Sequence, residues 1–297
     1  MVRNIGAVVV IYNPDHSSLT PLLKNLVLHC LKVLVIDNSE ELVEVNVEGV
    51  QVISMDGNKG IAAAQNKGIV ECLLSDVEKV IFFDQDSIVK TDFINNISAQ
   101  FDDPSVQIAA PVFFDKDKGF SYKLVDIKKY GFRRAFYPDK MLSPVDISVV
   151  ISSGTMVKSE VFSVVGLMDE KLFIDYVDTE WCLRCAKHGI SIRVDPSIVM
   201  IHSIGDYSIK LFSFNIPIHS PVRRYYRIRN SLYLLRLSHV PKILAIREVI
   251  FSIVHQIIII AISRDRKNYV SALFRAVFDG LANKNGKLKV ESFDRKN

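Results

Sequence analysis

The chain reads as an α/β protein: a doubly wound, mostly parallel sheet flanked by helices, with a helical extension at the C-terminus. Three observations carry that reading. Apolar runs rich in β-branched residues alternate with segments of helical spacing through the first two hundred or so residues. Several of those runs end in acidic or amide residues, at the strand ends where open α/β sheets bind ligands. From Pro221 the chain becomes helical and basic, and it is strongly apolar between residues 243 and 262. Two regions are therefore expected, 1–220 and 221–297.

The elements follow in order. Gly6 to Tyr12 is a continuous apolar run stopped at Asn13-Pro14, the pattern of a buried parallel strand. Residues 18–30 have helical spacing, with Thr20-Pro21 expected as cap and first turn. Strands are expected at 32–37, 50–54 and 80–83, and a helix with a small-residue face at 60–75. A helix at 92–101 and a strand at 107–113 come next, then a polar excursion from 115 to 144. Apolar residues 147–151 lead into Ser152-Ser153-Gly154-Thr155. A short helix at 161–165, a helix at 178–188 stopped by Gly189, and short strands at 190–194 and 197–202 complete the first region.

Composition narrows the function. The chain has 297 residues, 49% hydrophobic and 24% charged, as ordinary folded proteins do. Net charge is +4, too small to argue for nucleic acid. A mean hydropathy of +0.21 is high for an enzyme in free solution and points to an apolar surface or a membrane contact. Arginines cluster at Arg133-Arg134, at Arg223-Arg224 with Arg227 and Arg229, and between 264 and 267, which suits phosphate on a sugar nucleotide or a lipid. Of the four cysteines, Cys182 and Cys185 have half of a zinc or redox spacing, but no second pair completes it. No signal-peptide pattern opens the chain, so a cytoplasmic location is expected. Within 243–262 the nearly all-apolar part covers about 14 residues, short of the ~20 a spanning helix needs. That segment is read as a helix in the membrane interface, as a contact with a partner such as a second copy, or as a buried helix.

Chemistry is concentrated in a few places. Asp84 and Asp86 follow an apolar strand at i, i+2, which in extended chain puts both carboxylates on one side. Hard oxygen ligands of that kind suit Mg²⁺ or Mn²⁺ bridging to phosphate. Asp37 closes another strand, as a partner for a ribose or base or as a turn residue. Gly57-Asn58-Lys59-Gly60 precedes a helix and lets a ligand approach backbone, yet matches neither nucleotide-binding glycine fingerprint. Asp175, Asp178 and Glu180 form a second acidic cluster at a helix start, where a carboxylate can act as general base or pair with Arg184. His202 ends an apolar strand and is a metal-ligand or structural candidate.

Taken together, Val-Val-Val-Ile-Tyr-Asn, Val-Ile-Asp-Asn-Ser, Gly-Asn-Lys-Gly-Ile-Ala-Ala-Ala-Gln-Asn-Lys-Gly, Phe-Phe-Asp-Gln-Asp-Ser, Ser-Ser-Gly-Thr and Phe-Ile-Asp-Tyr-Val-Asp-Thr-Glu-Trp-Cys-Leu-Arg occur in one order. Over about residues 5–235 the chain resembles the family-2 inverting glycosyltransferases of GT-A fold. Within them it is most similar to bacterial rhamnosyltransferases of O-antigen and other surface-polysaccharide synthesis. The resemblance implies a nucleotide-sugar donor, probed first as dTDP-rhamnose with UDP-galactofuranose and UDP-glucose left open, and a saccharide or lipid-linked saccharide acceptor. It implies that Tyr12, Asn13 and Asp37 line the nucleoside pocket, and that Asn58, Lys59, Gly60 and Asn66 support base or diphosphate. It implies that Asp84 and Asp86, with His202, hold Mg²⁺ or Mn²⁺ on the diphosphate. Arg227, Arg229 and Asn230 match an element that clamps phosphate. Ser153, Gly154 and Thr155 would lie beneath sugar and acceptor. Asp178 matches the general base, flanked by Glu180 and Trp181. Many family members carry Glu-Asp where this chain has Val177-Asp178, which makes Asp175 the second candidate base. A catalytically silent scaffold is the competing class, and the intact acidic residues argue against it. The basic, apolar C-terminal region implies a peripheral place on the inner face of the cell membrane.

Overall fold

The computed structural model describes residues 4–116, 118–201, 208–211 and 214–289. The first half is β1 (Ile5–Ile11), α1 (His16–Val27), β2 (Lys32–Asp37), β3 (Val50–Ser54), α2 (Ile61–Leu73) and β4 (Lys79–Asp84). β1 pairs in parallel with both β2 and β4, and β3 adds in parallel outside β2. Every residue of β1 is buried, so its run shows no alternation. Successive side chains nevertheless serve opposite cores. Val8 and Val10 pack with Ala62, Ala64 and Ile69 of α2, whereas Ala7, Val9 and Ile11 pack with Leu19, Leu22 and Leu23 of α1.

The helix at α1 begins earlier than its spacing suggests. Asp15 caps it, accepting from Ser17 N at 2.9 Å, and Pro21 falls inside the helix. The chain continues through α3 (Phe93–Ala99), β5 (Ile108–Asp115), β6 (Phe120–Ser121), β7 (Leu124–Ile127), β8 (Arg133–Phe136), β9 (Val145–Ile147), β10 (Met156–Lys158), α4 (Ser159–Val165), α5 (Val177–Lys187) and β11 (Ile192–Ile201). These complete a nine-stranded sheet of order β3-β2-β1-β4-β10-β5-β11-β9, with β6 paired to β5. β10 runs antiparallel between β4 and β5, so Ser152 to Thr155, which precede it, reach the same sheet edge as the carboxyl ends of β1, β2 and β4.

Two sequence expectations change. The excursion 115–144 contains β6 and the antiparallel β7–β8 hairpin. The two strands expected at 190–194 and 197–202 are one strand, β11, with an irregular register between Val194 and Val199 where Pro196 interrupts the ladder. A short antiparallel pair, β12 (Ser208–Leu211) and β13 (Phe214–Pro217), precedes α6 (Pro221–Leu234), α7 (Lys242–Ile262) and α8 (Arg266–Leu281). α7 is 21 residues, long and apolar enough by length and composition to cross a membrane. Its buried residues are Leu244, Ala245, Glu248, Ser252, Gln256 and Ile259, a face that includes its polar side chains.

The helical region is tied into the α/β part. Buried Arg229 donates to the carbonyls of Lys171, Leu172 and Gly286, and buried Asn230 donates to those of Leu172, Ile174 and Asp175. The segment they hold contains Phe173, Asp175 and Tyr176, all at positive φ between 63 and 64°. Each such residue costs about 1–3 kcal/mol and persists only where its surroundings determine it. Five side-chain donations onto this loop supply that determination.

Candidate active site

The sheet edge carries two cavities. The larger, of about 540 Å³, lies over the carboxyl ends of β1 and β4. That volume is in the range of small-molecule sites. Its walls include Tyr12, Asn38, Asn58, Gly60, Asp84, Gln85, Phe173, Arg223 and Tyr226. Tyr12 N donates to Gln85 Oε1 at 2.7 Å and Asn13 N to Ser39 Oγ at 2.9 Å, which joins the loops after β1, β2 and β4. Asn38 and Asn58 bond each other at 3.2 Å, and Lys59 N donates to Asn38 Oδ1 at 2.8 Å. Gly60 has φ of 91°, and a Cβ there would come within 2.6 Å of Phe173 O. Only glycine permits that approach of α2 to the 171–175 loop. The Phe173 ring in turn stacks on Tyr226 at 4.8 Å.

The smaller cavity, of about 290 Å³, is walled mainly by apolar side chains, among them Phe113, Leu124, Val150, Ile151 and Tyr176, with Asp178 and Thr179. Asp84 therefore belongs to one cavity and Asp178 to the other. They are close enough to interact. Burial pushes the Asp178 carboxyl up to about 6, the charge of Asp84 adds to the rise, and hydrogen bonds from Ser152 oppose it. Beneath them, Ser153 Oγ accepts from Asp84 N at 3.2 Å and bonds Ser87 Oγ at 3.0 Å, while Ser87 N closes the turn onto Asp84 O. Gly154 N donates to Phe82 O and Thr155 Oγ1 to Ile151 O. Ser153, Gly154 and Thr155 thus build the floor that sets the positions of Asp84 and Asp178.

Several expected site residues have other tasks. Asp37, 1% exposed, accepts from Ser39 N and Val43 N, so it folds its own loop while Asn38 faces the cavity. Lys59 contributes its backbone N–H. Asn66 is buried and exchanges hydrogen bonds with both backbone groups of Met168, and donates to Glu170. Arg229 is committed to carbonyls and lies over the Tyr225 and Tyr226 rings, so it is no phosphate clamp. Glu180 turns away from both cavities and pairs with Arg184 at 2.7 Å and His239 at 2.8 Å. Trp181 is buried, donating to Gly166 O at 2.9 Å. Asp175 lies 3.7 Å from both Arg223 and Arg227, among cations, and its charge still acts on Asp178. Arg227 lies over the Tyr176 ring and faces a separate basic cavity, and Arg223, one turn earlier, is the arginine on the larger cavity. His202 lies outside the described residues.

The structure adds Asn38, Gln85, Ser152, Phe173, Arg223 and Tyr226. Asn38 and Gln85 adjoin residues that the motifs single out. Phe173 and Tyr226 each begin a sequence motif, but nothing local in the sequence shows that their rings meet, which happens only when α6 docks. The cysteines are free, and burial pushes the Cys185 thiol up to about 12 and Cys182 well above its ordinary value.

Among the described residues no three His, Cys, Asp or Glu side chains form a ready cage for a metal. Asp84 and Asp86 still fit Mg²⁺ or Mn²⁺. Both present hard oxygens on one turn, Asp86 is exposed, and Mg²⁺ commonly takes one or two carboxylates together with substrate phosphates. The repulsion between Asp84 and Asp178 is a local excess of negative charge that a cation relieves.

Comparison with known proteins agrees with this layout. Residues 7–166 match the family model described as glycosyl transferase family 2. The chain is 47% identical over 285 residues to the dTDP-rhamnosyl transferase RfbF of Shigella flexneri, covering 95% of this chain and 96% of that one. Among solved structures, S. aureus TarS 1–349 superposes with a TM-score of 0.57 at 13% identity, over 93% of this chain and 80% of that chain. GalNAc-T7, solved with UDP, GalNAc and Mn²⁺, superposes with 0.55 at 13% identity, over 95% of this chain and 58% of that one. At such identities the structures speak for the fold, a GT-A arrangement. The matched model covers more than half of the chain, including the loops after β1, β2 and β4, and the relative aligns over almost its whole length: the chain belongs to glycosyl transferase family 2.

Proposed function

We propose that this protein transfers L-rhamnose from dTDP-rhamnose, with inversion, onto a hydroxyl of a saccharide acceptor in cell-surface polysaccharide synthesis. The observation that carries the reading is that Asp84 lines one cavity and Asp178 the other, near enough for the charge of Asp84 to act on Asp178. The identity to a dTDP-rhamnosyl transferase supports the donor.

In this reading the nucleoside lies between Tyr12, Asn38 and Asn58, and the diphosphate between the Asp84–Asp86 turn and Arg223. Asp84 and Asp86 are the residues to hold Mg²⁺ or Mn²⁺, which when bound neutralises charge on the leaving diphosphate. The acceptor hydroxyl lies in the smaller cavity beside Asp178. Asp178 takes its proton, the freed oxygen forms a bond to the anomeric carbon from the face opposite the diphosphate, and the bond to that diphosphate breaks. One displacement gives inversion, and the products are the rhamnosylated acceptor and dTDP. A carboxyl held near 6 is ionised at neutral pH yet basic enough to take a proton. The apolar walls exclude water, which favours transfer over hydrolysis.

We assign residues 221–297 two tasks: α6 completes the donor cavity, and α7 and α8 hold the enzyme peripherally on the inner face of the cell membrane, where the same helices offer a contact for a second copy. The apolar outer face of α7 supports this. The test is binding and hydrolysis of dTDP-rhamnose, UDP-galactofuranose, UDP-glucose and UDP-N-acetylglucosamine, with Mg²⁺, Mn²⁺ or EDTA. Cation-dependent selection of dTDP-rhamnose is expected. Selection of a UDP-sugar overturns the donor, equal activity in EDTA overturns the cation, and binding of no donor overturns the enzyme reading.

A further inference from the structure

A third cavity, of about 230 Å³, opens between β8, α6 and α7. Arg133, Arg227 and Arg247 line it, with Glu248, Phe251 and His255. Three guanidinium groups around so small a space repel each other unless anions compensate them. The protein compensates them incompletely. Glu248 pairs with Arg133 and also accepts from the Tyr176 hydroxyl at 3.1 Å. Asp175 lies 3.7 Å from Arg227 and is shared with Arg223. Arg247 has no carboxylate partner among the described residues, and its guanidinium stacks over Phe251 at 5.2 Å. The strain is visible at Arg133, whose proton affinity is lowered first by burial and also by Arg247 and Arg227.

The position of the cavity is as informative as its charge. Tyr176 divides it from the cavity of Asp178: its ring walls that cavity, and its hydroxyl bonds Glu248 and Ser252. On the other side is Phe251, 61% exposed, part of an outer face of α7 that also carries Ile243, Ile246, Ile250, Val254 and Ile257. In spatial order, then, come Asp178, the Tyr176 ring, an arginine cluster and an exposed apolar surface. One ligand has that order of chemistry: a hydroxyl-bearing sugar, a doubly charged phosphate group, and a hydrocarbon tail.

We propose that this cavity binds the diphosphate of a lipid-linked saccharide acceptor, with the sugar directed toward Asp178 and the lipid leaving over Phe251. The proposal rests on the glycosyl-transfer reading above and names the acceptor class for it. Guanidinium groups suit the role because each can donate two parallel hydrogen bonds to phosphate oxygens.

The experiment measures binding of farnesyl diphosphate, farnesol and inorganic pyrophosphate to the full-length protein in EDTA, for wild type, Arg247→Gln and Arg247→Lys. Vesicles of phosphatidylcholine, with and without phosphatidylglycerol, form a second arm. The wild type is expected to prefer farnesyl diphosphate to farnesol and to pyrophosphate by at least about tenfold, since each lacks one half of the recognition. Arg247→Gln is expected to weaken farnesyl diphosphate about tenfold and Arg247→Lys less, with melting temperatures unchanged because Arg247 supports no buried partner. Equal binding of farnesyl diphosphate by wild type and Arg247→Gln overturns the site. Arg247-dependent binding to phosphatidylglycerol vesicles without binding of farnesyl diphosphate overturns the occupant and assigns the cavity to a bilayer headgroup. Binding of dTDP and dTDP-rhamnose by the wild type is read separately. Its absence counts against the glycosyl-transfer reading and leaves the Arg247 result to stand by itself.

Discussion

Helices α5 and α7 are both amphipathic, and they face the protein with opposite sides. α5 buries Val177, Trp181, Cys182, Leu183 and Cys185, as a helix covering a sheet should. α7 buries Glu248, Ser252 and Gln256 and exposes Ile243, Ile246, Ile250, Phe251, Val254 and Ile257. The polar groups that α7 turns inward are matched: Glu248 by Arg133 and Tyr176, Gln256 by Arg224 and the carbonyl of Tyr269. α5 is held mainly by apolar contact, with Glu180 the one buried carboxylate in an ion pair, and presents Asp178 to its cavity. α7 is held by hydrogen bonds and presents its apolar side outward. An exposed apolar stripe on a helix secured in that way reads as a surface made for something other than water.

Four predictions test the contrast, taken from the largest effect down. Replacing Asp178 by Asn should lower kcat by about a thousandfold, the scale of a lost general base, with dTDP-rhamnose affinity retained. Normal turnover in single-turnover assays would remove Asp178 from the role and pass it to Asp175. Glu180→Ala, only two positions away on α5, should act on folding instead. It leaves the half-buried Arg184 and His239 without their carboxylate, while Arg184 keeps the carbonyls of Val165 and Leu167, and should cost about 2–3 kcal/mol in urea unfolding, with kcat per folded molecule unchanged. Lost turnover at unchanged stability would return Glu180 to the acceptor site.

The third prediction concerns pH. The Asp178 carboxyl titrates near 6 in the fold against 3.8 in the unfolded chain, so the folded state holds the proton more tightly. Its contribution to stability is present below pH ~4 and is lost as pH rises through about 6. Two pH units set a ceiling of about 3 kcal/mol, and partial exposure reduces this to about 1 kcal/mol. Asp178→Asn should thus be more stable than wild type by about 1 kcal/mol at pH 7 and no more stable at pH 3.5, by urea midpoints. The acid limb of kcat should fall near pH 6, or lower once a cation offsets the charge of Asp84. The smallest effect is expected at α7. Ile250→Glu should change stability by less than about 0.5 kcal/mol, because the side chain is 55% exposed, while reducing co-sedimentation with lipid vesicles. A large loss of stability would show that the outer face packs on protein.

The parallel strands of the sheet and the Asp84–Asp86 motif are legible because each is a short contiguous pattern, whereas the antiparallel β10 at 156–158, only three residues long, leaves no such pattern. Glu180 misleads for a related reason. A spacing of two puts side chains together on a strand, the expectation for Asp84 and Asp86, although β4 ends at Asp84 and Asp86 lies in the turn that follows; on a helix the same spacing sets them roughly 200° apart, as at Asp178 and Glu180. Arg223 and Arg227 share a face of α6, and only the docking of that helix decides which of them meets the larger cavity. Asn66 and Arg229 lie in motif-like stretches whose targets, Met168 and Lys171, are about a hundred and about sixty positions distant. No local pattern encodes such pairings. The positive φ angles at Phe173, Asp175 and Tyr176 are equally silent, since none of these residues is glycine.

The hold of Arg229 and Asn230 on residues 171–175 sets an order in time. Ribosomes make the sheet first, and by Ile201 its last strand has emerged. Yet the loop that walls the donor cavity waits for α6, and Arg229 also waits for the carbonyl of Gly286. A nascent or C-terminally clipped chain thus carries the acidic motif on a complete sheet with no finished place for a nucleotide sugar.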